Sequence, residues 1–207
     1  MNPLLYQLAD SAFPAGAFAH SLGLEALRGV GGLRGEHDLV LRLGELAWHT
    51  AHATLPFLGD AHRDDPSVAD HAADRFLSSH VANRASRAQG RAFLIAAEAM
   101  FEHRLELPCG HLAAALGATL ARADIALDDA RQLVMFSTLR SAMSAAVRLG
   151  VIGPLRAQRL LLEISPGAER ALLETRDLRA ASACSISPLV ELAQTAHDRL
   201  YARLFQS

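Results

Sequence analysis

The chain has 207 residues, half of them hydrophobic, and a formal charge of −2, so it can bury a sizeable core and offers no basic footprint for nucleic acid. Every basic residue is an arginine, which excludes a Walker A phosphate loop and any Schiff-base enzyme, since both need a lysine. Alanine and leucine dominate while the strand formers isoleucine, threonine, tyrosine and tryptophan are scarce, which predicts an all-α fold.

In chain order, Leu4, Leu5 and Leu8 predict a short helix over 3–9, running into a turn at Asp10–Gly16. Pro14 fixes φ there and Gly16 admits backbone angles closed to other residues. The whole segment Asp10–Glu25 combines turn chemistry with Phe13, Phe18, His20 and Glu25, two aromatics being too apolar for an idle loop. A second helix is predicted over Ser21–Arg28, stopped by Gly29-Val30-Gly31-Gly32. A third runs from Glu36 to the Leu55-Pro56 junction, where proline ends or kinks it. Asp60–Pro66 reads as a polar, mobile linker.

Helices follow over Ser67–His80, Val81–His103 and His111–Arg122, with Pro108-Cys109-Gly110 breaking between the last two. Ile125–Leu149 is predicted as a long central helix, with Asp128 and Asp129 in its first turn and Arg148 in its last, as the helix dipole favours. Gly153-Pro154 opens a helix to Ile164, and Ser165-Pro166 another to Leu178. Ser182–Ser187 is a serine-rich connection, and Ser187-Pro188 starts a tail helix over 188–207. There is no alternating strand run and no repeat, so the expectation is a single-domain bundle spanning 1–207, with roughly eight to ten helices joined by short connections. No apolar run reaches membrane-spanning length, and Met1–Gln7 lacks a signal peptide's basic region. A cytoplasmic protein with Cys109 and Cys184 reduced is expected.

The candidate chemistry is sparse. Glu45, His49 and His52 share one helix face, yet the Glu-x-x-His pairs of di-iron bundles and the His-Glu-x-x-His motif are both absent, which favours structural histidines. Cys109 and His111 could offer two ligands to nickel or zinc, but two ligands do not close a site and no sequence neighbour supplies the rest. Gly29–Gly35 lacks the spacing and the preceding strand of a dinucleotide loop, and no serine sits in a nucleophile elbow. His20, Ser21 and Glu25 allow a catalytic reading, against one in which His20 and Glu25 bond backbone groups and shape the turn. In the tail, Leu189, Leu192, Ala193, Ala196, Leu200 and Leu204 form one apolar stripe, with Phe205 well off it. Either the last turn unravels and tucks Phe205 in, or the tail docks on a partner. Tyr201, Arg203 and Phe205 are interface residue types.

Asp10-Ser11-Ala12-Phe13-Pro14-Ala15-Gly16-Ala17-Phe18-Ala19-His20-Ser21-Leu22-Gly23-Leu24-Glu25 resembles the N-terminal signature of the UreF family of urease accessory proteins. Arg84–Arg91, Ser144–Gly150 and the ending Tyr201-Ala202-Arg203-Leu204-Phe205-Gln206-Ser207 resemble the same family in the same order. The resemblance implies an all-helical, often dimeric scaffold that is not an enzyme. It implies a bridge between a UreG-type nickel-carrying GTPase and a UreD/UreH-type accessory protein, delivering nickel with carbon dioxide to apo-urease. It also allows a role in tuning GTP hydrolysis, with an arginine supplied in trans. Carried onto this chain, Phe13, Phe18, His20, Glu25, Tyr201, Arg203 and Phe205 become the partner-binding residues, with Arg203 in the position that recruits the GTPase. No catalytic residue, no stably bound metal or other cofactor, and no nucleic-acid or membrane partner is expected. The alternatives are a helical metalloenzyme using Glu45, His49, His52, Cys109 or His111, and a generic helical interaction module.

Overall fold

The computed structural model describes residues 2–10, 12–14, 20–102, 104–187, and Leu192, Thr195, Leu204 and Phe205. Among these, nine α-helices and no strand occur: α1 (Pro3–Ala9), α2 (Leu24–Gly29), α3 (Glu36–Ala53), α4 (Leu55–Arg63), α5 (Pro66–Phe76), α6 (His80–Phe101), α7 (Leu112–Arg122), α8 (Leu127–Arg148) and α9 (Pro154–Glu174). The all-α expectation holds. No helix among the described residues is long and apolar enough to cross a membrane.

α8 is the central helix that its small and apolar middle predicted. It buries Leu139, Ala142, Met143, Ala145 and Ala146, and packs against α1, α2, α3, α4, α7 and α9. Alanine and glycine let its neighbours approach closely. A Cβ on Gly117 of α7 would stand 2.3 Å from the Leu58 carbonyl oxygen of α4, so those two backbones touch where no side chain fits.

Three predicted boundaries were wrong, each for a local reason. The second helix starts at Leu24 rather than Ser21, because Leu22 and Gly23 both take positive φ (54° and 85°) in a tight turn that the Leu24 amide closes on the Ser21 carbonyl. Asp60–Arg63 is not a mobile linker but the last turn of α4, a helix that starts with Pro56 in its first turn, where the missing N–H costs nothing. Its acids are anchored: Asp60 accepts from the Ala180 amide and pairs with Arg179 at 2.5 Å, and Arg179 also pairs with Asp64.

The two helices predicted on either side of Ser165-Pro166 are one continuous helix, α9. Its buried positions Ala157, Leu160, Ala168 and Ala171 keep one face through the proline, so packing outweighs the backbone bond that Pro166 cannot donate. Arg131 of α8, buried in the interior, closes the far end of α9. It donates to the Leu172 and Arg176 carbonyls and to Thr175 Oγ1 at 3.0, 2.5 and 2.9 Å, capping carbonyls that the helix leaves without partners.

Candidate functional site

Two regions gather the residues that the sequence singled out. The first joins the opening turn to the tail. Glu25, 7% exposed in the first turn of α2, accepts a hydrogen bond from the Leu204 backbone amide at 2.6 Å. Arg148, at the end of α8, donates to the Leu204 carbonyl at 3.2 Å and lies 4.1 Å from the centre of the Phe205 ring. Phe205 is 6% exposed and belongs to the main core, so of the two outcomes open to the tail the structure takes the tuck. Glu25 thus does bond a backbone group, as the turn-shaping reading expects, but that group belongs to the opposite end of the chain.

Phe13 also turns inward, its ring 5.9 Å from that of Phe93 on α6. Phe13 and Phe93 line a cavity of about 130 Å³ beneath the opening turn, against Leu116 and Val134 of α7 and α8. Buried His20 and half-buried Leu22 line both this cavity and a neighbouring one of about 200 Å³. The backbone at Leu22, a branched side chain in the left-handed region, is strained to hold that wall in place. Phe18, Tyr201 and Arg203 lie outside the described residues, as does most of the predicted tail helix. Leu192 of its expected apolar stripe is exposed, and Thr195 donates from Oγ1 to Ser79 Oγ at 2.9 Å.

The second region is the Pro108–His111 turn. Its amides meet a carboxylate from another helix: Asp70 of α5, wholly buried, accepts from the backbone N–H groups of Cys109, Gly110 and His111 at 2.6, 3.0 and 2.8 Å. A carboxylate bonded by successive amides at a helix N-terminus also meets the positive end of the dipole of α7. Gly110 takes φ +78°, which glycine alone adopts freely. Gly90 of α6 sits against the turn so closely that a Cβ there would lie 2.1 Å from the Gly110 carbonyl oxygen.

So held, the turn presents Cys109 and His111 to Asp74 and His71 of α5. The His111 ring, fully buried, lies between Asp74 Oδ1 (Nε2, 3.0 Å) and Ser86 Oγ (Nδ1, 3.1 Å). Cys109 Sγ lies 3.6 Å from His71 Nδ1. One ligand atom each from Asp74, Cys109 and His111 falls within 4.8 Å of the others. Asp74 also accepts from Asn83 Nδ2 at 3.1 Å and pairs with Arg87 at 3.6 Å. Hydrogen bonds from Asn83 and His111 hold its carboxyl below the usual carboxylate range.

Burial, together with the charges of Asp70 and Asp74, pushes the Cys109 thiol up. That is the opposite of an activated nucleophile, so the cluster is not built for cysteine catalysis. The sequence reading that no neighbour along the chain supplies further ligand-type side chains to this turn stands, and the structure brings them from elsewhere. They come from α5, 35 or more residues away, where no local spacing could announce them. The other candidate face disperses: Glu45 pairs with Arg42 at 2.6 Å, His52 Nδ1 bonds the Trp48 carbonyl at 3.0 Å, and His49 lines the larger cavity.

The UreF family model matches residues 41–165, more than half of the chain and all of the core from α4 to α8. Urease accessory protein F of Arabidopsis thaliana is 30% identical over 218 residues, covering 98% of this chain and 91% of that protein. Urease accessory protein UreF of Trichodesmium erythraeum is 28% identical over 97% of this chain and 94% of its own length. That of Bacillus sp. (strain TB-90) is 25% identical, with both chains covered completely. With a family model over more than half of the chain and relatives that cover nearly all of it, the chain belongs to the UreF family of urease accessory proteins.

Proposed function

We propose that this chain serves urease maturation as a docking scaffold, holding a UreG-type GTPase and a UreD/UreH-type protein for nickel delivery to apo-urease. Nickel is cargo in this reading, and the chain works by recognition rather than catalysis. The observation that carries it is the Glu25–Leu204 hydrogen bond, reinforced by Arg148 on Leu204 and Phe205. Together these tie the tail at Leu204 and Phe205 to the start of α2 and the end of α8, joining the two chain-end segments whose residues resemble the UreF signature.

Phe13, His20, Glu25 and Phe205 point inward. Phe18, Tyr201 and Arg203 are the proposed contacts, with Arg203 offering a planar donor fork to a carboxylate or phosphate of the GTPase. Stimulation or restraint of GTP hydrolysis follows from how that fork is presented. A homodimer is part of the same proposal. Leu155, Leu162 and Leu173 share one face of α9 and are 88%, 76% and 73% exposed, an apolar stripe that such a contact would cover.

The test is capture of the purified GTPase by the full chain and by Arg203→Ala. The variant is expected to bind at least about tenfold more weakly, as for an interface arginine worth over about 1.4 kcal/mol, while its unfolding midpoint stays unchanged. Equal capture by both chains overturns the assignment of the tail.

A further inference from the structure

We propose that Asp74, Cys109, His111 and His71 form a binding site for one divalent transition-metal ion, zinc being the best fit. The four side chains carry one thiolate sulfur, two imidazole nitrogens and a carboxylate oxygen, a donor set that suits a tetrahedral borderline ion and not magnesium or calcium. Bonds of about 2.0–2.3 Å to a tetrahedral centre put ligand atoms about 3.3–3.8 Å apart. Cys109 Sγ and His71 Nδ1 already stand at 3.6 Å, and His111 Nε2 and Asp74 Oδ1 at 3.0 Å. The ligand atoms of Asp74, Cys109 and His111 all fall within 4.8 Å of one another, and His71 stands beside the Cys109 sulfur at the exposed side of that group.

The surroundings resemble those of metal sites in general. A ligating histidine holds its second nitrogen in a hydrogen bond, and Ser86 Oγ supplies that partner to His111. Cys109 and His111 sit on a turn that Asp70 ties down by three amides and Gly90 backs at close range, so the backbone cost of ordering them is already met. His71 is exposed, which leaves an entry path from solvent. Asp70 and Asp74 disfavour a bare thiolate at Cys109, and a dication in the same place offsets that repulsion.

Proton balance is simple. The S–M bond forms as the Cys109 thiol proton leaves to solvent. Where His111 carries its proton on Nε2, that proton passes through solvent to Nδ1 as the Nε2 lone pair takes the metal, and Nδ1 becomes the donor to Ser86 Oγ. Arg87 is displaced from Asp74 toward water. This site is independent of the docking reading, since it concerns the isolated chain and none of its residues lies in the tail or the opening turn.

The experiment is a titration of the untagged, chelator-stripped full chain with Co²⁺, followed by absorbance and then by competition with Zn²⁺ and Ni²⁺. The expected result is one cobalt per chain, with a thiolate-to-cobalt charge-transfer band and intense tetrahedral d–d bands, both removed by one equivalent of Zn²⁺. Cys109→Ser should abolish the charge-transfer band while retaining the native circular dichroism. His71→Ala, a change at an exposed side chain, should weaken binding by about 10- to 100-fold. Cys184→Ser, at the other free thiol, should change nothing. The site is overturned by absence of a charge-transfer band, by its persistence in Cys109→Ser, by its loss in Cys184→Ser, or by unchanged affinity in His71→Ala. Displacement of cobalt by Ni²⁺ but not by Zn²⁺ overturns the assignment to zinc. A chain that binds cobalt as described but captures no GTPase leaves this site standing and removes only the docking reading.

Discussion

The turn before α7 and the junction of the two chain ends are both built around a buried carboxylate that accepts a backbone amide, yet they differ in the exposure of what it holds. Asp70 takes three amides from one turn, whose Gly110 and His111 are buried, with Gly90 of α6 pressed against it. Glu25 accepts the amide of Leu204, a residue that is itself 62% exposed, and Arg148 donates to the carbonyl of that same residue. The first arrangement cannot come apart without opening the packing of α5, α6 and α7. The second is expected to open on its own, withdrawing only the Phe205 ring from the core. A rigid turn suits the ordered presentation of ligands; a separable junction suits a surface that meets other proteins.

The comparison is broken most directly at Asp70. Asp70→Ala leaves three amides at the start of α7 without their acceptor, and a loss of about 3 kcal/mol or more of global stability is expected for uncompensated groups in a buried charged network. Urea unfolding followed by circular dichroism measures it. A loss under about 1 kcal/mol would show that water replaces the carboxylate and that the turn is not rigidly held. Gly90→Ala should approach the same loss by a different route, since its methyl meets backbone rather than a movable side chain.

At the junction the effect is smaller and local. Glu25→Gln weakens a charge-assisted hydrogen bond, which is worth about 1.5–3 kcal/mol when intact. Hydrogen exchange at the Leu204 amide should speed up by roughly tenfold, while amides in the middle of α8 keep their protection. Equal loss of protection at both places would mean that the tail is part of the global unfolding unit, and the distinction between the two regions would fall.

The smallest effect concerns an exposed network that belongs to neither region. Arg156 at the start of α9 bridges Glu36 of α3 and Glu163, with contacts of 2.6 and 2.7 Å. Its hydrogen bonds hold both carboxyls below the ordinary glutamate range. A lowered folded-state value means that the contribution is fully present above the ordinary value, near about 4.3, and is lost as pH falls through the lowered ones. Arg156→Met should therefore lower stability above about pH 4.3 by the small amount expected of solvent-exposed pairs, leave it unchanged at pH well below that, and so flatten the acid limb between the two. An unchanged acid limb would assign the acid sensitivity to other carboxylates.

Much of the fold was legible along the chain. The apolar spacing of α3, α6, α7 and α8 follows the period of a helix with one buried face, and the acid-to-base order along α8 follows its dipole. Proline was the least readable residue, for a physical reason. Pro56 and Pro166 lack the same N–H, but one stands where no donor is needed and the other inside a helix that tertiary packing carries through. The charged run Asp60–Asp65 looked like linker because its partners, Arg179 and Ala180, lie more than a hundred residues onward.

The same asymmetry governs the sites. Sequence by itself determined the all-helical class, the exclusion of lysine chemistry, the aromatic character of both chain ends and the presence of a thiol and an imidazole in one turn. These are properties of residue type and short-range spacing. Only the tertiary structure decided that Glu25 holds Leu204, that Phe205 is tucked into the core, and that Asp70, Asp74 and His71 of α5 gather around Cys109 and His111. Each of those pairings joins helices distant in sequence, and which helix faces meet is settled by close packing of the whole core rather than by any local run of residues.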